Sequence, residues 1–243
     1  MRIWAIADLH LPGGQAKPMD VFGAHWLNHA ATIEAHWREL IGAEDLVLVP
    51  GDISWAMRMP DVLADLAWID SLPGRKVLCK GNHDFWWSSA SRVRSILPPS
   101  LRIVDCDALI IDDVVICGTR GWMVPGDRDF DQETDLRIYQ RELGRLERAL
   151  AGAKALAEGV RPIYTLIHFP PFREGQPTEF AARIAAAAEG GTAAACVYGH
   201  LHQPDQWASA TVGERDGVSY YLTACDALQF RPVEIFPRHD PAV

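Results

Sequence analysis

The sequence predicts an α/β fold, and two observations carry this prediction. Six short apolar runs, rich in β-branched residues, each end in a cluster of polar residues. Runs that are apolar at every position are typical of strands covered on both faces. Stretches with helical spacing of apolar residues separate these runs, and alternation of strands with helices is the pattern of α/β proteins.

Each of the six runs is a predicted strand followed by a polar turn. In chain order they are RIWAIADLH (2–10), DLVLVPGD (45–52), KVLCKGNHD (76–84), VVICGTRG (114–121), PIYTLIHFP (162–170) and AACVYGHLH (194–202). A seventh region, 209–236, has a Gly/Asp-rich turn between two strand-like segments, which indicates a hairpin that ends the domain.

Helices are predicted between the strands. Apolar residues recur at helical spacing in 29–41, 60–71, 88–96, 133–157 and 178–189. We expect Ser88 to cap the third of these helices and Gly190-Gly191 to end the fifth. We expect residues 1–243 to form a single domain, in which residues 121–160 could be an insertion or a lid over the sheet edge.

The composition is that of a globular protein with an acidic balance. The formal net charge is −9, and no Lys/Arg-rich run is present to track a phosphate backbone, which argues against nucleic acid as a partner. Apolar runs fall short of the roughly 20 residues of a membrane span, and MRIWAIAD reaches Asp8 too early for a signal peptide. The five cysteines form no CxxC pair. We expect a cytoplasmic protein without a membrane partner. For the oligomeric state we make no prediction.

Side chains that bind metals are concentrated where the predicted strands end. Ligands of open α/β sheets bind beyond the carboxyl ends of the strands, so the fold should gather these side chains in one crevice. Carboxylate, imidazole and amide donors without thiolate suit Mn, Fe, Zn, Co or Ni. Seven or more ligands exceed the needs of one tetrahedral ion, so two ions that share a carboxylate fit better. The residues are Asp8, His10, Asp52, Asn82, His83, Asp84, His168, His200 and His202.

These residues form five short motifs. They are D-x-H (Asp8, His10), GD (Gly51, Asp52), GNHD (Gly81 to Asp84), a lone His168, and GHxH (Gly199, His200, His202). In this order the motifs resemble the signature of the calcineurin-like metallophosphoesterases over residues 8–202. The stretches KPMDVFG (17–23), GDISWAM (51–57) and GNHDFWW (81–87) are similar to a bacterial branch of predicted phosphohydrolases. The resemblance implies a four-layer α/β/β/α sandwich.

The resemblance also implies a role for each residue. Asp8, His10 and His202 would hold one metal ion. Asn82, His168 and His200 would hold the second, and Asp52 would bridge the two. His83 would protonate the leaving oxygen of a phosphate ester, while Asp84 would hold the other nitrogen of its imidazole. The implied cofactor is a pair of divalent or mixed-valence ions, with Mn the preferred metal and Fe, Zn, Co or Ni as alternatives. The implied nucleophile is a hydroxide bound to these ions.

The expected activity is that of a metal-dependent phosphohydrolase acting on a small phosphate mono- or diester, with the diester slightly preferred. The alternative is a metal-binding scaffold of the same fold that does no chemistry. Arg120, which ends a strand at the same edge, could bind the substrate phosphate or form a structural ion pair. Trp86, Trp87 and Trp122 could line the pocket, although such residues more often pack in a core.

Overall fold

Two β-sheets lie face to face at the centre of the protein, and helices cover the outer side of each sheet. The computed structural model describes residues 1–14, 18–188 and 192–236. Lys17, the first residue of the KPMDVFG stretch, and the predicted helix end at 189–191 lie outside these ranges.

The regular elements follow one another with few long connections. In chain order the strands are β1 (Ile3–Ala5), β2 (Leu46–Pro50), β3 (Arg75–Cys79), β4 (Leu101–Ile103), β5 (Asp107–Ile111), β6 (Val114–Thr119), β7 (Ile163–Ile167), β8 (Phe172–Arg173), β9 (Gln176–Pro177), β10 (Ala193–Tyr198), β11 (Gly213–Arg215), β12 (Val218–Leu222) and β13 (Val233–Glu234). The α-helices are α1 (His29–Leu40), α2 (Leu63–Ser71), α3 (Ala90–Arg94), α4 (Asp135–Ala157), α5 (Glu179–Ala188) and α6 (Pro204–Ser209). Two short 3₁₀ helices, Met19–Phe22 and Ala24–Trp26, precede α1.

Both sheets are built around parallel strands. The first has the order β13-β1-β2-β3-β4, with only β13 antiparallel to its neighbour. The second has the order β11-β12-β10-β7-β6-β5, with β11 and β5 antiparallel at its edges. Parallel strands end at the same edge of a sheet, so the polar turns that follow them are brought together.

Side-chain alternation along the strands produces the layers. In β1, Ile3 and Ala5 pack in the core between the sheets, whereas Trp4 packs in the core beneath α1 and α2. The second sheet packs its outer face against α4 and α5. Three apolar cores between four layers confirm the predicted α/β/β/α sandwich.

The predicted elements are confirmed with local corrections. All six strands, all five helices and the terminal hairpin are present. The third helix begins at Ala90, and its cap is Ser89, whose hydroxyl accepts the Arg92 N–H at 3.5 Å, so the prediction of Ser88 was wrong. The short strands β4, β5, β8 and β9 were not predicted, and β13 leaves the hairpin to join the first sheet.

The predicted 121–160 segment contains α4, which packs against β5, β6 and α5 as part of the outer layer. Its description as an insertion or lid, and that of the chain as a single domain, stay predictions. No helix in the described ranges has the length and apolar character needed to cross a lipid bilayer.

Candidate metal centre

The seven predicted ligands meet where strands from both sheets end. Nε2 of His10, beyond β1, lies 3.4 Å from Nε2 of His202, beyond β10. The Asn82 Oδ1 lies 2.7 Å from His168 Nε2 and 3.0 Å from His200 Nδ1. The structure therefore forms two groups of side chains, each containing residues predicted to share one ion.

Asp52 lies between these groups. Its Oδ1 accepts the backbone N–H of His83 at 2.8 Å. Its Oδ2 lies 3.8 Å from His10 Nε2 and 3.5 Å from His168 Nε2, one nitrogen from each group. Among the described residues, no group donates a hydrogen bond to this buried oxygen. An unsatisfied buried carboxylate oxygen is costly, and divalent cations at this point would satisfy it.

Asp8 has a similar central place. Its carboxylate forms one possible metal-binding cluster with His10 and His202 and another with Asp52 and His168, and in each the candidate ligand atoms lie within 4.8 Å of one another. Asp8 Oδ1 is 3.6 Å from His202 Nε2 and 3.9 Å from His168 Nδ1. The residues present therefore fit a pair of divalent ions.

Four of the candidate ligands have a left-handed backbone conformation. Asp8, His10, Asp52 and His200 have φ values of 59°, 43°, 50° and 74°. Each such residue costs on the order of 1–3 kcal/mol, and strained residues of this kind cluster at functional sites. The strain turns the chain sharply at the end of a strand, so that the side chain points into the space between the sheets' edges.

The glycines of the motifs allow the ligand loops to touch. A Cβ atom on Gly81 would overlap the carboxylate and backbone nitrogen of Asp52, and one on Gly199 would overlap the carboxylate of Asp8. Both glycines therefore provide the space for a neighbouring ligand rather than a special φ. Only Gly51, with φ of 93°, also needs the conformational freedom of glycine.

Burial keeps three of the histidines neutral. It lowers the pKa of His10 well below the usual value, and neighbouring histidines add to the effect. Burial also lowers the pKa of His168 to about 3, although its hydrogen bond with the Pro50 carbonyl opposes the shift. Burial and the adjacent His168 lower the pKa of His200 to about 3. Neutral imidazoles are the form that binds metals.

His202 differs because a carboxylate holds its second nitrogen. Its Nδ1 lies 3.1 and 3.0 Å from the two carboxylate oxygens of Asp226. Burial alone would lower the pKa of His202, but Asp226 and Asp8 raise it to about 10. The pairing with Asp226 directs Nε2 towards Asp8 and His10, as in the carboxylate–histidine pairs of metal sites. Sequence reasoning missed Asp226; its signal was the polar end of LTACD, beyond β12.

His83 lies at the open side of the centre. Its Nε2 is 4.0 Å from Asp52 Oδ2, and 37% of its side chain is exposed. Trp55 packs against it, with ring centroids 4.4 Å apart, and also stacks on His10 at 4.9 Å. An imidazole held beside the centre and open to solvent can donate a proton to a bound ester.

Asp84 organises the loops around His83. Its Oδ1 accepts the N–H groups of Ile53 and Ser54 at 2.9 and 3.1 Å and the indole N–H of Trp86 at 3.0 Å. Its Oδ2 accepts the N–H of Gly81 at 2.8 Å. These bonds join the GNHD loop to the GDIS loop. The predicted contact of Asp84 with the imidazole of His83 stays a prediction.

The remaining predicted residues lie around the centre. The Arg120 guanidinium lies 4.2 Å above the ring of Trp122 and 3.6 Å from Glu142 Oε1, with 16% of its side chain exposed. These contacts are those of the structural ion pair, and its phosphate contact stays a prediction. Trp86 and Trp87 are buried in the core, whereas Trp122 lines a cavity beside His200.

Two phage proteins resemble part of this sequence. The "Gene 66 protein" of Mycobacterium phage L5 is 36% identical over 83 residues, covering 33% of this chain and 39% of that protein. Its counterpart in Mycobacterium phage D29 is 37% identical over 82 residues, 34% of this chain and 40% of that protein. The chain thus spans about two fifths of the length of these relatives.

A solved structure resembles this fold, and a family profile matches the sequence. The crystal structure of Phosphopantetheinyl Hydrolase (PptH) from Mycobacterium tuberculosis matches with a TM-score of 0.55 at 16% identity, covering 100% of this chain and 98% of that one. At this identity the likeness concerns the fold alone. The sequence profile of the calcineurin-like phosphoesterases matches residues 1–204, which contain all seven candidate ligands and His83. The chain belongs to the calcineurin-like phosphoesterase family.

Proposed function

We propose that the protein is a phosphodiesterase that uses two divalent metal ions, with Mn the first choice and Fe, Zn, Co or Ni as alternatives. The observation that carries the proposal is Asp52 Oδ2, a buried carboxylate oxygen with no hydrogen-bond donor among the described residues. It faces one histidine from each ligand group and also Nε2 of His83. Two divalent ions stabilise the attacking and leaving oxygens of a phosphoryl displacement, and a neighbouring proton donor can protonate the leaving oxygen.

The chemistry divides between the ions and the chain. When bound, the two ions would withdraw charge from the phosphoryl oxygens and make a water molecule more acidic. The chain holds the ester in place, with His83 beside the leaving oxygen. As water attacks phosphorus and releases one proton to solvent, the bond to the leaving oxygen breaks, and that oxygen keeps the electron pair and takes a proton from His83.

Two cavities that touch different candidate ligands support a diester. One has a volume of about 150 Å³ and touches His10, His83 and His202. The other has a volume of about 430 Å³ and touches His200 and Trp122. A phosphomonoester has one organic substituent and would fill one cavity, whereas a diester has a substituent for each.

The test compares p-nitrophenyl phosphate with bis-(p-nitrophenyl) phosphate, using metal-stripped protein with and without Mn. We expect Mn-dependent cleavage, faster for the diester. Preference for the monoester would reverse the diester assignment. The absence of cleavage of either ester by protein that holds its metal would favour the non-catalytic scaffold.

His83→Ala separates the enzyme from the scaffold more sharply. The variant should lose about 10²–10⁴-fold in rate, the usual loss for a general acid, and keep its metal content because His83 is not a proposed ligand. Glu44→Ala, which removes an exposed side chain before β2, at the opposite end of that strand from Asp52, is the control and should change neither. Equal rates for the two variants would refute the acid role of His83.

A further inference from the structure

The smaller of the two cavities is an aromatic cup beside His83. Its apolar walls are Trp26, Trp55, Phe22 and Met19, and its polar lining is Gln203, His83 and the proposed ligands His10 and His202. Trp26 is buried against the ring of His202 at 5.8 Å, and the Trp55 indole donates to Met19 Sδ at 3.1 Å. These contacts hold the two indoles in place, so the cup exists before a substrate enters.

The position of the cup decides which part of a substrate occupies it. In the proposed reaction His83 protonates the leaving oxygen, so the group attached to that oxygen must extend past His83. Trp55 lies directly against His83, with ring centroids 4.4 Å apart, and forms a wall of the cup. The cup therefore receives the leaving group, and the larger cavity beside His200 is left for the group that stays on phosphorus.

The size and walls of the cup define the chemistry of its occupant. A volume of about 150 Å³ matches the size of one six-membered ring, since an apolar protein cavity of that volume binds benzene. Aromatic walls favour a flat or apolar group through stacking and burial. Phe22 lies at the rim with 58% of its surface exposed, which an apolar occupant would cover.

We propose that this cup selects esters whose leaving group is an uncharged alcohol or phenol bearing one ring-sized apolar group. The proposal rests on the proposed phosphodiesterase function. For benzyl methyl phosphate, water adds to phosphorus, the bond from phosphorus to the benzyl oxygen breaks, and that oxygen takes the electron pair and a proton. The products are methyl phosphate and benzyl alcohol.

The activity test compares benzyl methyl phosphate with 2-methoxyethyl methyl phosphate, whose leaving alcohols have similar acidity. Burial of one ring should make kcat/KM about tenfold higher for the benzyl ester. Phe22→Ala removes one wall and should raise KM for the benzyl ester about fivefold, with kcat little changed. Val21→Ala is the matched control, because Val21 is 73% exposed and is not among the described residues that line the cup.

A binding test reports on the cup without catalysis. Benzyl alcohol added to metal-free protein should shift the indole N–H signals of Trp26 and Trp55 in NMR spectra, and Phe22→Ala should weaken this binding about fivefold. If both esters are cleaved at equal rates and benzyl alcohol shifts neither signal, the cup assignment is overturned while the phosphodiesterase stands. If benzyl alcohol binds but neither ester is cleaved, the leaving-group role is overturned together with the proposed activity.

Discussion

Asp226 should control how many protons the protein releases when metal ions bind. Its carboxylate lies 3.0 Å from Nδ1 of His202, whose Nε2 lies 3.6 Å from Asp8 Oδ1. Burial opposes the charge, but these two carboxylates raise the pKa of His202 to about 10. At pH 7.5 the imidazole is therefore almost fully protonated in the metal-free protein, and it must lose that proton before Nε2 can bind an ion.

The size of the effect follows from the change in pKa. Asp226→Asn removes the carboxylate that faces Nδ1, and an imidazole of ordinary pKa carries only about 0.1 proton at pH 7.5. Because Asp8 remains, we expect the variant to release about 0.5–0.9 proton fewer than the wild type. Burial and the charge of Asp8 also raise the pKa of Asp52 well above its usual value, so Asp52 contributes to the protons released by both proteins. The difference in proton release between the variant and the wild type therefore isolates the contribution of His202.

Calorimetric titration of the metal-free protein with Mn at pH 7.5 measures the released protons, if it is repeated in two buffers of different ionisation enthalpy. Asp205→Asn is the control, since it removes the same charge from an exposed residue of α6 and should leave the proton count unchanged. Equal proton release from Asp226→Asn and the wild type, with Mn bound to both, would refute the assignment of the proton to His202.

Three further outcomes are expected. Gly81→Ala should abolish Mn binding, because the new Cβ would overlap Asp52. The control is Gly144→Ala, whose new Cβ meets no atom and which should raise the free energy of unfolding by about 0.5–1 kcal/mol. Equal Mn binding by the two variants would contradict the packing argument. NMR of the metal-free protein should show His168 and His200 neutral from pH 8 to 5, since their folded pKa is about 3. The stability that these two histidines contribute is present above pH 6.5 and is lost as the pH falls towards 3. Titration of either imidazole near pH 6.5 would refute its burial. Glu142→Ala should cost roughly 3 kcal/mol in urea unfolding, because Thr119, Arg120 and Arg145 all lose this buried carboxylate. A neutral result would contradict the structural role of this ion-pair network.

The residues alone predicted the α/β class because one pattern marks the six long runs, whereas the four-layer arrangement was implied by the resemblance to the family. An apolar run that ends in a polar motif, as in VLVPGD at the end of β2 or ACVYGH at the end of β10, indicates both that the strand is buried and which of its ends carries the ligands. Short strands such as β4 and β8 lack this pattern. Leu101–Ile103 has an exposed residue between two buried ones, and three residues do not establish a period.

The parts of the centre that sequence reasoning missed depend on contacts between distant segments. Asp226 reaches His202 only because β12 pairs in parallel with β10, and nothing in LTACD indicates that neighbour. Trp26 and Trp55 form the aromatic cup only because the 3₁₀ segment before α1 folds against the end of the GDISW loop. Trp86 and Trp87, which stand beside His83 in sequence, pack in the core, as the sequence favoured.

The centre is costly for the chain without its ions, and this cost explains the form of the motifs. Left-handed residues at four ligands oppose folding, as does the Asp52 oxygen that has no hydrogen-bond donor among the described residues. Bound cations would offset the charge and the unsatisfied oxygen, so metal binding and folding stability are linked. The strain can persist because each strained residue follows a buried strand whose ladder fixes its position. Ligands as far apart in sequence as His10 and His202 can therefore meet, with their Nε2 atoms 3.4 Å apart, at the ends of such strands.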